Sequence, residues 1–190
     1  MIVPLTPIRC MHRAVDLYAK KIGVVCGSQR FTYSEFGARC ERLASALVAE
    51  GLRPGDRVAY LSFNNHQLLE GYFGVIQARA VVMPLNVRLT TPELIAILNH
   101  GGPRMLLFEN DFAPLVKELR PACPSIEKFV TLSENEKVHE ADFAYNDLLA
   151  GGRPERADVF SYDEGSTAEL FYTSGSTGTP KGVIDRKSVV

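Results

Sequence analysis

The chain has 190 residues, 46% hydrophobic and 23% charged, with 21 basic against 22 acidic side chains and a net charge of −1. That length holds one domain, at most two, with a real core, and the balance is that of a globular protein rather than a disordered, coiled or membrane one. Nucleic-acid binding gets no electrostatic support, because the dense cationic spots, Lys20-Lys21 and Arg186-Lys187, read as solvated surface.

Met1 to Leu5 is too short an apolar run for a signal peptide and contains Pro4, so a cytoplasmic protein is expected. Val24 to Cys26 and Arg30 to Tyr33, separated by Gly27-Ser28-Gln29, predict a hairpin. Thr32 and Glu35 form a capping box, and Phe36, Cys40, Leu43 and Leu47 follow at helical spacing until Gly51. The turn Arg53 to Asp56 delivers a buried strand over Val58 to Phe63. Residues 66–79 predict a helix with Leu69, Tyr72, Phe73 and Ile76 on its core face, Gly71 and Gly74 admitting a neighbour closely. Leu68 to Leu85 is no membrane span, because Glu70, Gln77 and Arg79 interrupt it.

A strand over Ala80 to Leu85 precedes a helix that Thr91 and Pro92 open and Gly101-Gly102 end. Met105 to Phe108 is a further strand, Phe112 to Leu119 a helix and Lys128 to Leu132 a strand. This alternation predicts an α/β fold with a mostly parallel sheet flanked by helices. Residues 133–167 are rich in Glu, Asp, Gly and Pro, and read as a polar connector with one helical patch at Tyr145 to Leu149. Carboxylate pairs there, Glu134/Glu136 and Asp163/Glu164, read as surface rather than as acid and base. Cys10, Cys26, Cys40 and Cys123 lack metal or redox spacing and read as reduced structural thiols. His12, His66, His100 and His139 are scattered and read as surface or cap residues.

Ala168 to Tyr172 predicts a strand, and it enters YTSGSTGTPKGV, Tyr172 to Val183. Glycine, serine and threonine make flexible linkers, but they also make anion cradles. Gly175, Gly178 and Gly182 let amides approach a ligand, the hydroxyls donate, and Lys181 adds a point charge. The stretch does not fit GxxxxGK[ST], since Pro180 stands where the second glycine should be, and no GxGxxG is present. The residues after it are few, which predicts a loop anchored on one side only.

YTSGSTGTPKGV resembles the phosphate-loop signature of the adenylate-forming (AMP-binding) superfamily, which includes acyl-CoA synthetases, luciferase and nonribosomal-peptide adenylation domains. FTYSEFGARCERLASALVAEGLRPGDRVAYL and VVMPLNVRLTTPELIAILNHGGPRMLLFE resemble that superfamily's N-terminal subdomain, in its order. The resemblance runs from about Pro7 to Val183. It implies a truncated N-terminal subdomain at 7–132, the connector at 133–167, a strand plus phosphate loop at 168–183, and a tail at 184–190 that departs from the family pattern. It also implies an enzyme that joins ATP and a carboxylic acid into an acyl adenylate and passes the acyl group to coenzyme A, with Mg2+ on the phosphates.

Carried onto this sequence, Thr173, Ser174, Ser176, Thr177 and Thr179 would supply hydroxyl or amide donors. Gly175 and Gly178 would give close backbone approach, Pro180 would stiffen the exit, and Lys181 would offset phosphate charge. The family's catalytic lysine is expected beyond residue 190, and no residue here takes a metal. A histidine usual near Lys187 is missing, and the ending is IDRKSVV. The chain therefore resembles the first third of an acyl-CoA synthetase, inactive alone, with a fatty acid as the favoured substrate. An aryl-CoA ligase, an amino-acid adenylation domain or a non-catalytic anion-binding fragment are the alternatives. A sheet open after the Phe171 strand would make such a piece self-associate.

Overall fold

Capping residues and glycines set the helix boundaries in the computed structural model, which describes residues 5–133, 138–173 and 181–186. Thr6 caps α1 (Pro7–Tyr18), which leads into the antiparallel hairpin of β1 (Ile22–Cys26) and β2 (Gln29–Thr32). The Thr32 hydroxyl accepts from Glu35 N while Glu35 Oε2 accepts from Thr32 N at 2.8 Å, so the predicted capping box opens α2 (Tyr33–Ala49). There follow β3 (Arg57–Leu61), α3 (His66–Gln77), β4 (Val81–Pro84), α4 (Thr91–Gly101), β5 (Met105–Phe108), α5 (Ala113–Ala122) and β6 (Lys128–Thr131). Beyond them come β7 (Phe143–Ala144), α6 (Tyr145–Gly151), β8 (Glu169–Thr173) and β9 (Lys181–Asp185).

Seven strands form one sheet in the order β7-β6-β5-β3-β4-β8-β9, parallel throughout except for β9, which is antiparallel to β8. The central strands are apolar without alternation because both faces are covered. Val58, Tyr60, Val82, Leu107 and Val130 pack under α2, α3 and α6. Ala59, Leu61, Met83, Leu106 and Phe129, their neighbours on the pleat, pack under α4 and α5. The chain steps from β3 to β4 in one direction and crosses back to β5, which puts α3 and α4 on opposite faces. In such sheets ligands gather beyond the carboxyl ends of the strands.

Some details differ from the sequence reading. The strand read to Phe63 stops at Leu61, and Phe63 N instead donates to Glu109 Oε1 at 2.9 Å. On α3 the face assigned to the core is only partly so: Leu69 is exposed and Tyr72 and Phe73 are half-buried, while Leu68, Glu70 and Val75 are buried. The reason is that α2 and the sheet cover α3 on two sides. Gly71 and Gly74 do admit those neighbours, since a Cβ at Gly74 would stand 2.9 Å from Cys40 O and one at Gly71 2.6 Å from the Tyr60 ring.

The connector is docked rather than only polar surface. β7 extends the sheet, Tyr145 is fully buried, and a Cβ at Gly152 would fall 2.1 Å from Arg42 O on α2. His12 and His66 are buried, not surface residues: His12 lies under the Arg156 segment, where burial holds its pKa down, and His66 stacks on Phe31 at 5.0 Å. Cys40 and Cys123 are buried free thiols, as structural thiols should be, whereas Cys10 is exposed.

Candidate functional site

β8 leaves the sheet at the same edge as the carboxyl ends of β3, β4 and β5, which is where its motif begins. Ser174, Gly175, Ser176, Thr177, Gly178, Thr179 and Pro180 lie outside the described residues. Both flanks are described, and they show that the segment is anchored on two sides rather than one. β9 returns antiparallel along β8 with the pairs Thr173↔Lys181, Tyr172↔Gly182, Phe171↔Val183, Leu170↔Ile184 and Glu169↔Asp185. The sheet edge expected to be open beyond Phe171 is therefore covered by β9, whose Val183 and Ile184 are themselves exposed. Ile184 and Asp185, placed by sequence in the departing tail, belong to this strand.

Thr173 and Lys181 thus face each other across the mouth of the motif, both exposed. A hydroxyl and an ammonium are hydrogen-bond donors of the kind that bind anions, and a lysine is a flexible point charge suited to phosphate. The donor set fits a polyphosphate. Among the described residues, no group of three or more His, Cys, Asp or Glu side chains could hold a metal ion.

Below the mouth, β8 is held by side chains from both faces. Tyr172 Oη lies 2.6 Å from His100 Nδ1, and the two rings meet edge to face at 5.7 Å. Leu170 and Tyr172 pack on the α4 side. On the other face Glu169 is buried, its carboxyl pushed up to about 7 by burial and then by the charge of Asp185. Of the carboxylate pairs, Asp163 Oδ1 accepts from Gly165 N at 2.8 Å and Glu164 accepts from Leu5 N, which are structural roles. Glu134 and Glu136 lie outside the described residues. Sequence reasoning missed His100 and Glu169, because neither stands at a motif spacing; only the fold brings them to the strand.

The sequence profile described as "AMP-binding enzyme" matches residues 11–185. This chain belongs to the AMP-binding enzyme family. The long-chain-fatty-acid–CoA ligase of Thermus thermophilus is 39% identical over 178 residues, covering 92% of this chain and 32% of that protein. A peroxisomal butyrate–CoA ligase of Arabidopsis thaliana is 32% identical over 194 residues, covering 96% of this chain and 34% of that protein. Among solved structures, an anthranilate CoA ligase in complex with anthranoyl-AMP superposes with a TM-score of 0.88 at 24% identity, covering 97% of this chain and 36% of that one. That likeness supports the fold: an α/β, mostly parallel sheet flanked by helices. The chain spans about a third of the length of the curated relatives it matches. Among the described residues of this AMP-binding family member, no helix is long and apolar enough to cross a membrane.

Proposed function

We propose that this chain carries the phosphate-binding loop of an ATP-dependent acid–thiol ligase, which converts a carboxylic acid to an acyl adenylate and then to a coenzyme A thioester. The observation that carries the reading is the Thr173–Lys181 pairing, which sets a hydroxyl and a cation at the mouth of a family signature on the carboxyl edge of the sheet. ATP supplies the electrophilic phosphorus when bound. The chain's own part is to hold the phosphates: Lys181 offsets their charge, while Thr173, Ser174, Ser176, Thr177 and Thr179 donate, and Gly175 and Gly178 let the backbone come close. Mg2+ fits this division of labour, since it is held largely by phosphate and water and needs few protein ligands.

A fatty acid is the acid we favour, on the strength of the relative that is 39% identical over 178 aligned residues. A cytoplasmic location goes with that reading. Residues 7–132 and 168–183 form the working unit, joined through the docked connector at 133–167.

The first test uses this chain itself. Titrated with pyrophosphate or with ATP and Mg2+, it should bind, and Lys181→Ala should weaken binding about tenfold to hundredfold, the range of one charge-assisted hydrogen bond. Equal affinity of the two would remove Lys181 from the site. In a protein of the relatives' length, a panel of fatty, aryl and amino acids assayed for pyrophosphate release then decides the acid.

A further inference from the structure

Beyond Glu169, β8 has little backbone support from the body of the sheet. Its ladder to β4 consists of the single pair Val82↔Glu169, extended by Val82 N donating to Ala168 O at 3.0 Å. β4 cannot carry the ladder further. It ends at Pro84, which has no N–H, and the N–H of Leu85 turns the other way, to Tyr60 O at 2.8 Å. Among the described residues, Phe171, Tyr172 and Thr173 therefore pair with β9 and have no bridge partner in β4, and β9 is the last strand of the sheet on that side. Side chains thus have a larger part in setting the position of the hairpin mouth than they have in the centre of the sheet.

Tyr172 is the side chain placed to play that part. It lies beside two glycines, Gly101, which is also crowded by Met83, and Gly182, where a Cβ would make ordinary contact. A Cβ on Gly101 would come 3.2 Å from Tyr172 Oη, and one on Gly182, its cross-strand partner, 3.6 Å from the ring. Its hydroxyl reaches His100 Nδ1 at 2.6 Å, in the last turn of α4. That turn is itself rigidly fixed. Gly102 takes the left-handed conformation at φ 56°, and Arg57 of β3 donates from Nε to Gly101 O at 2.8 Å and from Nη2 to Gly102 O at 2.7 Å. A continuous set of contacts so runs from the central strand β3, through Arg57 and the end of α4, to His100 and Tyr172, one residue short of the mouth.

We propose that His100 is a positioning residue for the phosphate-binding loop: through Tyr172 it fixes where the Thr173–Lys181 mouth stands relative to the sheet. The inference deepens the phosphate-loop reading and rests on it for its functional meaning, but the mechanical part is testable without any ligand. His100 touches no substrate in this scheme and acts through Tyr172.

The experiment is amide hydrogen exchange by NMR on this chain, with His100→Ala, His100→Asn, Tyr172→Phe and the His100→Ala/Tyr172→Phe double variant. Asparagine places a polar atom close to where Nδ1 stands. Loss of the contact should speed exchange at Phe171, Thr173, Lys181 and Val183, the residues whose N–H groups face across the β8–β9 pair, about three- to tenfold, the range of one neutral hydrogen bond. Exchange at Ala59 and Leu106 should stay the same. His100→Asn should restore much of the protection, and the double variant should be no worse than either single one. Unchanged exchange at the hairpin, an equal rise at Ala59 and Leu106, or full additivity would each overturn the proposal. A parallel titration with pyrophosphate separates the two readings. If the unaltered chain binds it and His100→Ala binds several-fold more weakly at unchanged melting temperature, positioning extends to the ligand; equal binding would overturn that extension. If the unaltered chain does not bind pyrophosphate, the phosphate-loop reading fails, while the exchange data still decide whether His100 holds the hairpin.

Discussion

Tyr145 Oη donates a hydrogen bond to Glu70 Oε2 at 2.6 Å, joining the connector's helix to a carboxylate with no exposure to solvent. Glu70 also accepts from Arg39 Nε at 2.6 Å and Nη2 at 3.3 Å, so α2, α3 and α6 meet at one buried charge. Burial, and then the charge of Glu70, hold the Tyr145 phenol well above its ordinary pKa, so it stays a donor throughout the working pH range. Tyr145→Phe leaves the buried carboxylate one partner short. It should lower stability by about 1.5–3 kcal/mol, the worth of a hydrogen bond to a charged group. Urea unfolding measures this, and a change under about 0.5 kcal/mol, within the scatter of a neutral surface substitution, would mean that water replaces the phenol.

The same docking predicts opposite outcomes at two adjacent glycines. Gly152 passes so close to α2 that a Cβ would stand 2.1 Å from Arg42 O, and both chains there are backbone, which cannot turn aside as a side chain can. A Cβ on Gly151 would meet nothing within 4 Å, at the end of α6. Gly152→Ala should therefore push the connector off α2, break the 2.6 Å bond from Arg153 N to Ser45 Oγ, and cost about 1–3 kcal/mol. Gly151→Ala should be neutral or slightly stabilising, since alanine is the better helix former. Thermal melts of the two variants side by side make the comparison. Equal effects would show that the Arg42 contact does not constrain the backbone.

Those two glycines also mark where the sequence stopped being legible. The capping box at Thr32 and Glu35, the left-handed Gly102 and the apolar run Met105 to Phe108 are local signals, and each lies where its pattern placed it. In the connector the sequence signalled the helical patch at Tyr145 to Leu149, which is α6, but not where the segment docks. Its anchors act far along the chain, Tyr145 on Glu70, 75 residues upstream, and Gly152 on Arg42, farther upstream still, and nothing local distinguishes a docked glycine from a linker glycine. The motif at Tyr172 to Val183 could be recognised because its order of residues is specific. The contact of Tyr172 with His100 could not be recognised, because it joins α4 to β8 across 72 residues of chain. β9 was missed for a related reason, since a five-residue strand of Lys, Gly, Val, Ile and Asp has little strand signal until β8 lies beside it.

Glu169 makes stability depend on pH in the direction opposite to most carboxylates. It is 4% exposed on β8, and its carboxyl is pushed up to about 7 from an ordinary 4.5, first by burial and second by Asp185 across the strand pair. The unfolded chain therefore gives up this proton at lower pH than the folded one. Between about 4.5 and 7 the folded state holds the extra proton, so this group's contribution is fully present below 4.5 and is lost as pH rises through 7. The strand lies near the sheet margin, where solvent screens part of the effect, which leaves about 1–2 kcal/mol of destabilisation at pH 8. Glu169→Gln keeps the size of the side chain and removes the titration. It should match the unaltered chain near pH 4.5, exceed its stability by about that 1–2 kcal/mol at pH 8, and show a flatter profile between. Urea midpoints across this range are the measurement. Parallel profiles for the two chains would mean that Glu169 ionises in the folded state as it does in the unfolded one, and that the rung beneath the motif carries its charge without cost.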